Sequence, residues 1–526
     1  MASVIAAPDR ALVFIGFMGA GKTTVAAQVA NALGVQALDS DRLLEQALGH
    51  SIADEFEQRG EASFREAEEQ VVCRLLEQAG PGSVISLGGG SVLSERVRAA
   101  LKPHLTVLLD IDARAAWRRA GAGREKRPLA ADRDAFMALH ASRTVLYEGL
   151  ADAILPALAP RVAVRALAAL RGLAHAPAGT RLLWASAASG EYPVFVGRGL
   201  LGPELASPAA VWPIDRALSR PFCVSDQNVA ALYAERLGGV QELVEIAPGE
   251  RSKTLASAEL VWNALVAGGM TRADHLVALG GGVVGDLAGF CAATYQRGVS
   301  VVHVPTTLVA QVDSAYGGKT GVDLPQAKNY VGVYHQPACV LVDPDTLSTL
   351  PPQELAAGYV EVLKTALIAG GELWERVAAE EPLDERTILA CARTKLAVVA
   401  EDERDCGRRQ VLNLGHTVGH ALETVTGYER YRHGEAVGLG LLVALRLSNL
   451  PDLRGQVREL LDARGLPVQL DGEDVEQVLA ATMRDKKRTG AHVPFVLLGS
   501  PGDARTGCHV PPEELRAAVG ELNAGR

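Results

Sequence analysis

Residues 12–33 read LVFIGFMGAGKTTVAAQVANAL. A short apolar run suited to a buried strand leads into Gly16-Phe-Met-Gly-Ala-Gly21-Lys22-Thr23, and a breaker-free, alanine-rich run follows. Strand, GxxxxGK[ST] loop and helix, in that order, form a phosphate cradle at the edge of a parallel α/β sheet. The glycines let backbone N–H groups converge on phosphate oxygens, and the helix N-terminus adds its positive end. Lys22 is placed to neutralise the β/γ phosphates, and the Thr23 hydroxyl to hold Mg²⁺. Gly19, Ala20, Gly21 and Thr24 complete the expected phosphate-binding set.

One strand later, LDSDRLLE (38–45) puts Asp39 and Asp41 near the carboxyl end of such a sheet, where α/β ligands bind. One can serve the Mg²⁺ shell and the other grip a hydroxyl. Further short apolar runs (VISLGG, LTVLLDI) alternate with helical patterns as far as an alanine-rich helix that ends in APAGT, so the first domain is expected over 1–174 with a linker at 175–181. A second α/β pattern runs over 182–343, through HLVALGG and VSVVHVP, and a mostly helical region is expected over 344–526.

The chain has 526 residues, 48% of them hydrophobic, enough for two or three domains with real cores, and no apolar run spans a bilayer. A net charge of −10 disfavours nucleic acid, whose backbone needs a basic face, so the expected partners are small molecules, with neither nucleic acid nor membrane. The N-terminus lacks a basic leader, and the seven scattered cysteines form no CxxC pair; reduced thiols and a cytoplasmic location are the expectation.

The second half carries a different chemistry. In RQVLNLGHTVGHALETVTGYERYRHGE (409–435), His416 and His420 stand one helical turn apart and His433 follows; Glu361, in AGYVEVLK, offers a carboxylate. Imidazoles at i and i+4 point the same way and can reach one metal-centred site. Upstream, Gly280-Gly-Gly-Val-Val-Gly-Asp286 follows the strand-like HLVAL and opens a helix, so its amides can hold a pyrophosphate.

In the first half the ordered set of P-loop, DSD, Phe64-Arg65, Gly88-Gly89-Gly90, Arg127 in EKRPLA and Arg143 in SRTVLYE resembles shikimate kinase over about residues 8–172. The resemblance implies ATP with Mg²⁺, held by Gly19 to Thr24, Asp39 and the lid residue Arg127. It implies shikimate held by Asp41, Arg65, Gly89 and Arg143, the two arginines taking its carboxylate. Arginine forks suit a carboxylate, and phosphoryl transfer needs positioning and charge neutralisation; Asp41 would orient and deprotonate the attacking hydroxyl. The adenine-side arginine stays open among Arg118, Arg119 and Arg124.

In the second half the glycine turn, PGERSK, VPTTLVAQVDSAYGGKTG, KNYVG, TLST, EVLK, RRQVLNLGHTVGH, HGE and DKK resemble 3-dehydroquinate synthase over about 190–500. That family implies NAD⁺ and one divalent metal acting on a phosphorylated seven-carbon sugar acid. Asp226, Glu250, Lys253, Gly282, Val283, Val284, Gly285, Asp286, Thr306, Thr307, Lys319, Lys328, Thr346, Leu347, Ser348 and Thr349 would line the NAD site. Glu361, His416 and His433 would ligate Zn²⁺ or Co²⁺, a donor set that leaves positions open for substrate hydroxyls, and His420 would relay protons. Arg297, Asp313, Lys319, Lys328, Asn329, Lys364, Arg409, Asn413 and Lys487 would hold the substrate, Arg297 across a homodimer interface formed by this half. Asp405, in ERDCGRR, occupies a position that the family commonly fills with glutamate.

The implied chemistry is oxidation of a secondary alcohol, elimination of phosphate from the acidified neighbour, return of the hydride, and aldol closure, with no net NADH. The combined expectation is a bifunctional enzyme of aromatic amino-acid biosynthesis. The competing expectation is a kinase for another small polyol fused to a metal-dependent polyol dehydrogenase, which would accumulate NADH.

Overall fold

The structure, a computed structural model, describes residues 8–121, 132–157, 161–202, 211, 214, 218–325, 327–472, 475–483 and 493–523. The chain forms two compact units, one of Met1–Trp184 with Pro193–Ile214, the other of Ala185–Tyr192 with Asp215–Arg526.

In the first unit, β1 (Leu12–Ile15), β2 (Ala37–Asp39), β3 (Val84–Ser86), β4 (Leu105–Asp110) and β5 (Ala153–Pro156) are parallel in the order β2-β3-β1-β4-β5. β6 (Arg181–Ala187) begins at the last residue of the segment 175–181 and pairs on β5 through Leu182 and Leu183. All four residues of β1 are buried, as they must be when helices cover both faces of a parallel sheet. The chain leaves β1 at Gly16 (φ +143°), where a Cβ would press on the Leu109 carbonyl, and enters the helix Lys22–Leu33 from Gly21 in the left-handed region. Because β1 lies between β3 and β4, its carboxyl end opens on a crevice at the reversal of strand order.

Beyond β7 (Gly190–Val196), the second unit holds β8 (Pro221–Asp226), β9 (Leu243–Ile246), β10 (His275–Gly280), β11 (Ser300–Pro305), the antiparallel pair β12 (Lys319–Leu324) and β13 (Ala327–Tyr334), and β14 (Cys339–Val342). Its parallel sheet runs β14-β11-β10-β8-β9. The helix Gly282–Thr294 follows β10 and packs Val284, Leu287, Ala288 and Cys291 into the core.

After Val342 the described chain is helical up to a last antiparallel pair, β15 (Phe495–Leu498) and β16 (Ala504–Cys508). Helices Pro352–Ala369, His416–Val425 and His433–Leu447 cross at close range because glycines stand at the crossings. A Cβ on Gly440 would overlap the Gly415 carbonyl, and one on Gly434 the Ala357 carbonyl. This close approach gathers Glu361, His416 and His433. All seven cysteines are free, and no described helix is long and apolar enough to cross a membrane.

Candidate active sites

In the first unit the P-loop coils back on itself. Lys22 Nζ donates to the Gly16 carbonyl at 2.8 Å, a posture that keeps the ammonium at the mouth of the cradle. Gly19, Ala20 and Gly21 carry the chain round the loop, and Thr23 and Thr24 begin the helix. Thr23 donates to Asp39 Oδ2 at 2.8 Å, so the two groups expected near Mg²⁺ already meet. The other oxygen of Asp39 caps the helix Ser40–Leu48, accepting from the N–H groups of Asp41 and Arg42.

The Gly88–Gly90 turn faces Asp41. A Cβ on Gly88 would lie 2.5 Å from Asp41 Oδ1 and 2.8 Å from Glu68 Oε1, and one on Gly90 would overlap the Arg65 guanidinium. From the opposite wall Tyr147 donates to the Gly89 carbonyl at 2.5 Å, and Arg143 Nη1 lies 3.5 Å from the same oxygen. Asp41, Arg65, Gly89, Arg143 and Lys22 therefore line one cleft. Asp41 has exposed surface, but the cleft walls strip its solvation, and with Asp39 repulsion added its carboxyl is raised to about 6, Lys22 opposing. Glu68, not singled out in the sequence, is buried and holds both Arg65 Nη1 (2.6 Å) and Ser91 Oγ (2.8 Å). Its setting EAEEQ reads as a solvated helix face, which hid it. Arg127 and Arg124 lie outside the described residues; Arg118 and Arg119 end the helix Ala113–Ala120.

In the second unit Glu361 is 1% exposed, and its Oε1 lies 3.6 Å from His416 Nε2 and 3.4 Å from His433 Nε2. The three donor atoms fall within 4.8 Å of one another. That Oε1 has no hydrogen-bond partner among the described residues, and a buried carboxylate oxygen left open toward two imidazole nitrogens, with Lys364 on the other oxygen, fits a divalent cation. His416 Nδ1 meets the Leu414 carbonyl at 3.2 Å, which turns Nε2 toward the cluster. Burial would lower the His433 imidazole, but the Glu361 and Glu423 carboxylates overcome it and hold it up to about 10. The His420 ring centroid is 5.3 Å from that of His416 and 6.1 Å from that of His433.

Charges alternate away from this cluster on two sides. On one, Lys364 Nζ reaches Asp313 Oδ2 at 2.8 Å, and the Lys395 ammonium closes on Asp313 Oδ1. Burial would lower Lys364, but Asp313 and Glu361 hold it above the usual lysine range, whereas burial wins at Lys395 and pushes it down to about 8. On the other, Lys328 Nζ stands 3.4 Å from Glu423 Oε1 and 3.5 Å from Glu250 Oε1. Lys253 lies 3.7 Å from Glu250 and 2.8 Å from Asp286 on the first turn after the glycines. Burial works against the Glu250 carboxylate, but Lys253 and Lys328 hold it below the usual range.

At the glycine turn, Gly282 and Val283 open the helix, Val284 is core, and Gly285 lies over His303. The buried Thr306 hydroxyl has no hydrogen-bond partner among the described residues, and Thr307 lies so close that a Cβ on Gly281 would come within 2.8 Å of it. Asp226 ends β8 and caps the next helix. Thr346 bonds Gln311 Nε2 at 2.9 Å, Leu347 follows in the same 3₁₀ turn, Ser348 bonds the Asp345 carbonyl, and Thr349 meets Tyr233 at 2.7 Å.

Lys319 begins β12 and its Nζ lies 2.5 Å from Asp405 Oδ2. The shorter acid makes this contact from φ +60°, a region aspartate tolerates. Asn329, also at positive φ, donates its N–H to Asp323. Arg409 is buried, with its guanidinium on the Glu403 and Gly317 carbonyls, and Asn413 donates to the Gln410 carbonyl. Arg297 is exposed in a left-handed turn, and Lys487 lies outside the described residues. Sequence reading passed over Lys395, Glu423 and Asp323. Glu423 alone carried a usable signal, two helical turns after His416 on the same face.

These features define a P-loop phosphotransferase-type domain followed by an α/β and helical domain built round a carboxylate and two imidazoles. Residues 18–165 match the shikimate kinase family, residues 243–357 the 3-dehydroquinate synthase N-terminal family, and residues 358–488 the 3-dehydroquinate synthase C-terminal family. The chain belongs to the 3-dehydroquinate synthase family and carries a shikimate kinase domain ahead of the synthase domain. It is 44% identical over 352 residues to the 3-dehydroquinate synthase of Halorhodospira halophila, a match covering 64% of this chain and 98% of that one. A 2-epi-5-epi-valiolone synthase from Streptomyces hygroscopicus, solved with NAD⁺ and Zn²⁺ bound, superposes with a TM-score of 0.57 at 28% identity, over 63% of this chain and 96% of that chain. A 2-deoxy-scyllo-inosose synthase, complexed with carbaglucose-6-phosphate, NAD⁺ and Co²⁺, shares the fold at 24% identity and a TM-score of 0.57, over 65% and 99%.

Proposed function

We propose that the chain catalyses two reactions: ATP-dependent phosphorylation of shikimate in the first domain, and cyclisation of 3-deoxy-D-arabino-heptulosonate 7-phosphate to 3-dehydroquinate, with phosphate release, in the second. We assign 1–174 to the kinase, 175–181 to a linker, 182–343 to the NAD-binding part and 344–526 to the helical part that holds metal and substrate. The observation that carries the second activity is Glu361 Oε1, buried, without a hydrogen-bond partner among the described residues, and facing His416 and His433.

In the kinase, Lys22 and the P-loop amides receive the ATP phosphates, Thr23 and Asp39 take Mg²⁺, and Arg65 and Arg143 orient the acceptor by its carboxylate. Asp41, raised to about 6, is poised to accept the hydroxyl proton near neutral pH.

In the synthase, a divalent metal on Glu361, His416 and His433 together with NAD⁺ supplies hydroxyl polarisation and a returnable hydride acceptor. The remaining groups orient and neutralise. Lys319, Lys328, Asn329, Lys364, Arg409 and Asn413 surround the substrate's carboxylate, phosphate and hydroxyls, and His420 moves protons at the ring. Lys253, Asp286 and the Gly282–Gly285 amides hold the dinucleotide. The family relationship and the exposed Arg297 support a homodimer through this half, and seven free thiols support a cytoplasmic location.

Assay of the whole protein for both reactions, with and without a chelator selective for transition metals, tests the reading. Shikimate phosphorylation persists and phosphate release from the heptulosonate phosphate stops. Net NADH formation from a simple polyol would turn the assignment to a dehydrogenase.

A further inference from the structure

His433, the first residue of the helix His433–Leu447, has a carboxylate on each side of its ring: Glu361 Oε1 lies 3.4 Å from Nε2, and Glu423 Oε1 lies 3.5 Å from Nδ1. Glu423 is 3% exposed, so its charge is held by contacts and not by water. It projects from the helix His416–Val425, two turns after His416, which brings it to the same side as that imidazole. Its Oε1 also lies 3.4 Å from Lys328 Nζ. The carboxylate is thus pinned between an imidazole and an ammonium.

Two triads compete for a cation here, since Glu361, His416 and His433 on the Nε2 side and His420, Glu423 and His433 on the Nδ1 side each fall within 4.8 Å. Charge decides between them. Each carboxylate has an ammonium beside it, but on different atoms: Lys364 lies on Glu361 Oε2 and leaves Oε1 with no hydrogen-bond partner among the described residues, whereas Lys328 lies on Glu423 Oε1 itself, where it would repel a second cation. We propose that Glu423 is a positioning residue for the metal centre: it accepts the Nδ1–H of His433, fixes the ring and its tautomer, and leaves Nε2 to the metal. This arrangement of carboxylate, imidazole and metal raises the basicity of the ligating nitrogen and stops the ring from turning. The inference rests on the reading that Glu361, His416 and His433 hold a divalent metal.

The full-length protein, stripped of metal, is titrated with Co²⁺ and followed by its visible absorption, in the wild type and in Glu361→Gln, Glu423→Gln and Glu423→Asp. Glu423→Gln weakens Co²⁺ binding about 10- to 100-fold, the usual effect of removing such a partner, and changes the absorption band. Glu423→Asp, which keeps the charge and serves even where the glutamine variant does not fold, recovers part of the loss, as ring alignment demands and packing alone does not. A wild type that takes up no Co²⁺, or a Glu361→Gln variant that binds it normally, overturns the metal reading and this inference with it. Loss of binding in Glu361→Gln with wild-type affinity in Glu423→Gln, or no recovery in Glu423→Asp, overturns this inference alone. Abolished binding in Glu423→Gln with retention in Glu361→Gln places the ion on the Nδ1 side and overturns it equally.

Discussion

Lys364 Nζ lies 2.5 Å from Oε2 of Glu361, three residues earlier on the same helix, with both side chains 1% exposed. The same ammonium also holds Asp313 Oδ2, whose other oxygen Lys395 holds. Removing Lys364 strands Glu361, while Asp313 keeps Lys395. Lys364→Met is expected to lower the stability of the metal-free protein by about 3–5 kcal/mol, the range for breaking a buried ion pair from one side. Equilibrium urea unfolding checks this; a change below about 1 kcal/mol would show that water or protonation replaces the lysine.

Lys22 bonds the carbonyl of Gly16 inside the P-loop, remote in sequence from the histidine cluster. Lys22→Ala should reduce shikimate phosphorylation by at least about 10³-fold, the scale of a lost charge clamp on phosphate, and leave phosphate elimination within twofold of wild type. Loss of both reactions would defeat the two-site assignment.

Gly88 has no room for a methyl group, since its Cβ would meet Asp41 Oδ1 at 2.5 Å. Gly88→Ala must push the carboxylate away from the position in which it would serve the proposed acceptor hydroxyl, and displacement of this size costs about 10²-fold in rate. Steady-state kinetics should show a lower kcat for shikimate, with the synthase unaffected.

Asp41 supplies a pH dependence of known sign. Its carboxyl is raised to about 6 by desolvation and Asp39, so the basic form is lost as pH falls through 6, and the kinase kcat/KM should fall with it. The raised value means that the folded state binds this proton more tightly than the unfolded chain. Stability from this group therefore grows as pH falls from above 6 toward 4, opposite in direction to the activity. Kinase pH profiles run beside thermal melts separate the two effects, and an activity profile flat from pH 5 to 8 would remove Asp41 from the proton-accepting role.

The two centres differ in how openly the sequence displays them. The P-loop shows itself because its glycines, lysine and threonine stand in fixed order, and His416, Glu361 and His433 because carboxylate and imidazoles are the donor types a cation would need. Glu68, Lys395 and Asp323 were not legible, since a carboxylate or amine on a helix or strand looks the same whether solvated or buried against a partner; Glu423 was legible only through its spacing from His416. Arg409 is held in a way its type did not announce: two backbone carbonyls take Nη1 and Nη2, and Nε has no hydrogen-bond partner among the described residues. Asp405 was visible in the sequence, but its contact with Lys319 was not: the acid sits at φ +60°, and nothing in ERDCGRR announces that backbone turn.

His416 and His433 each open a helix, the first entered from Gly415 and the second from Arg432. Each helix start carries a partial positive charge near half an electron unit, so two such poles converge on the spot that Glu361 faces. An ion lodged there would be starved of electron density, a harder Lewis acid but a more easily lost one. The same geometry that sharpens its pull on a bound hydroxyl would make this enzyme sensitive to metal scarcity.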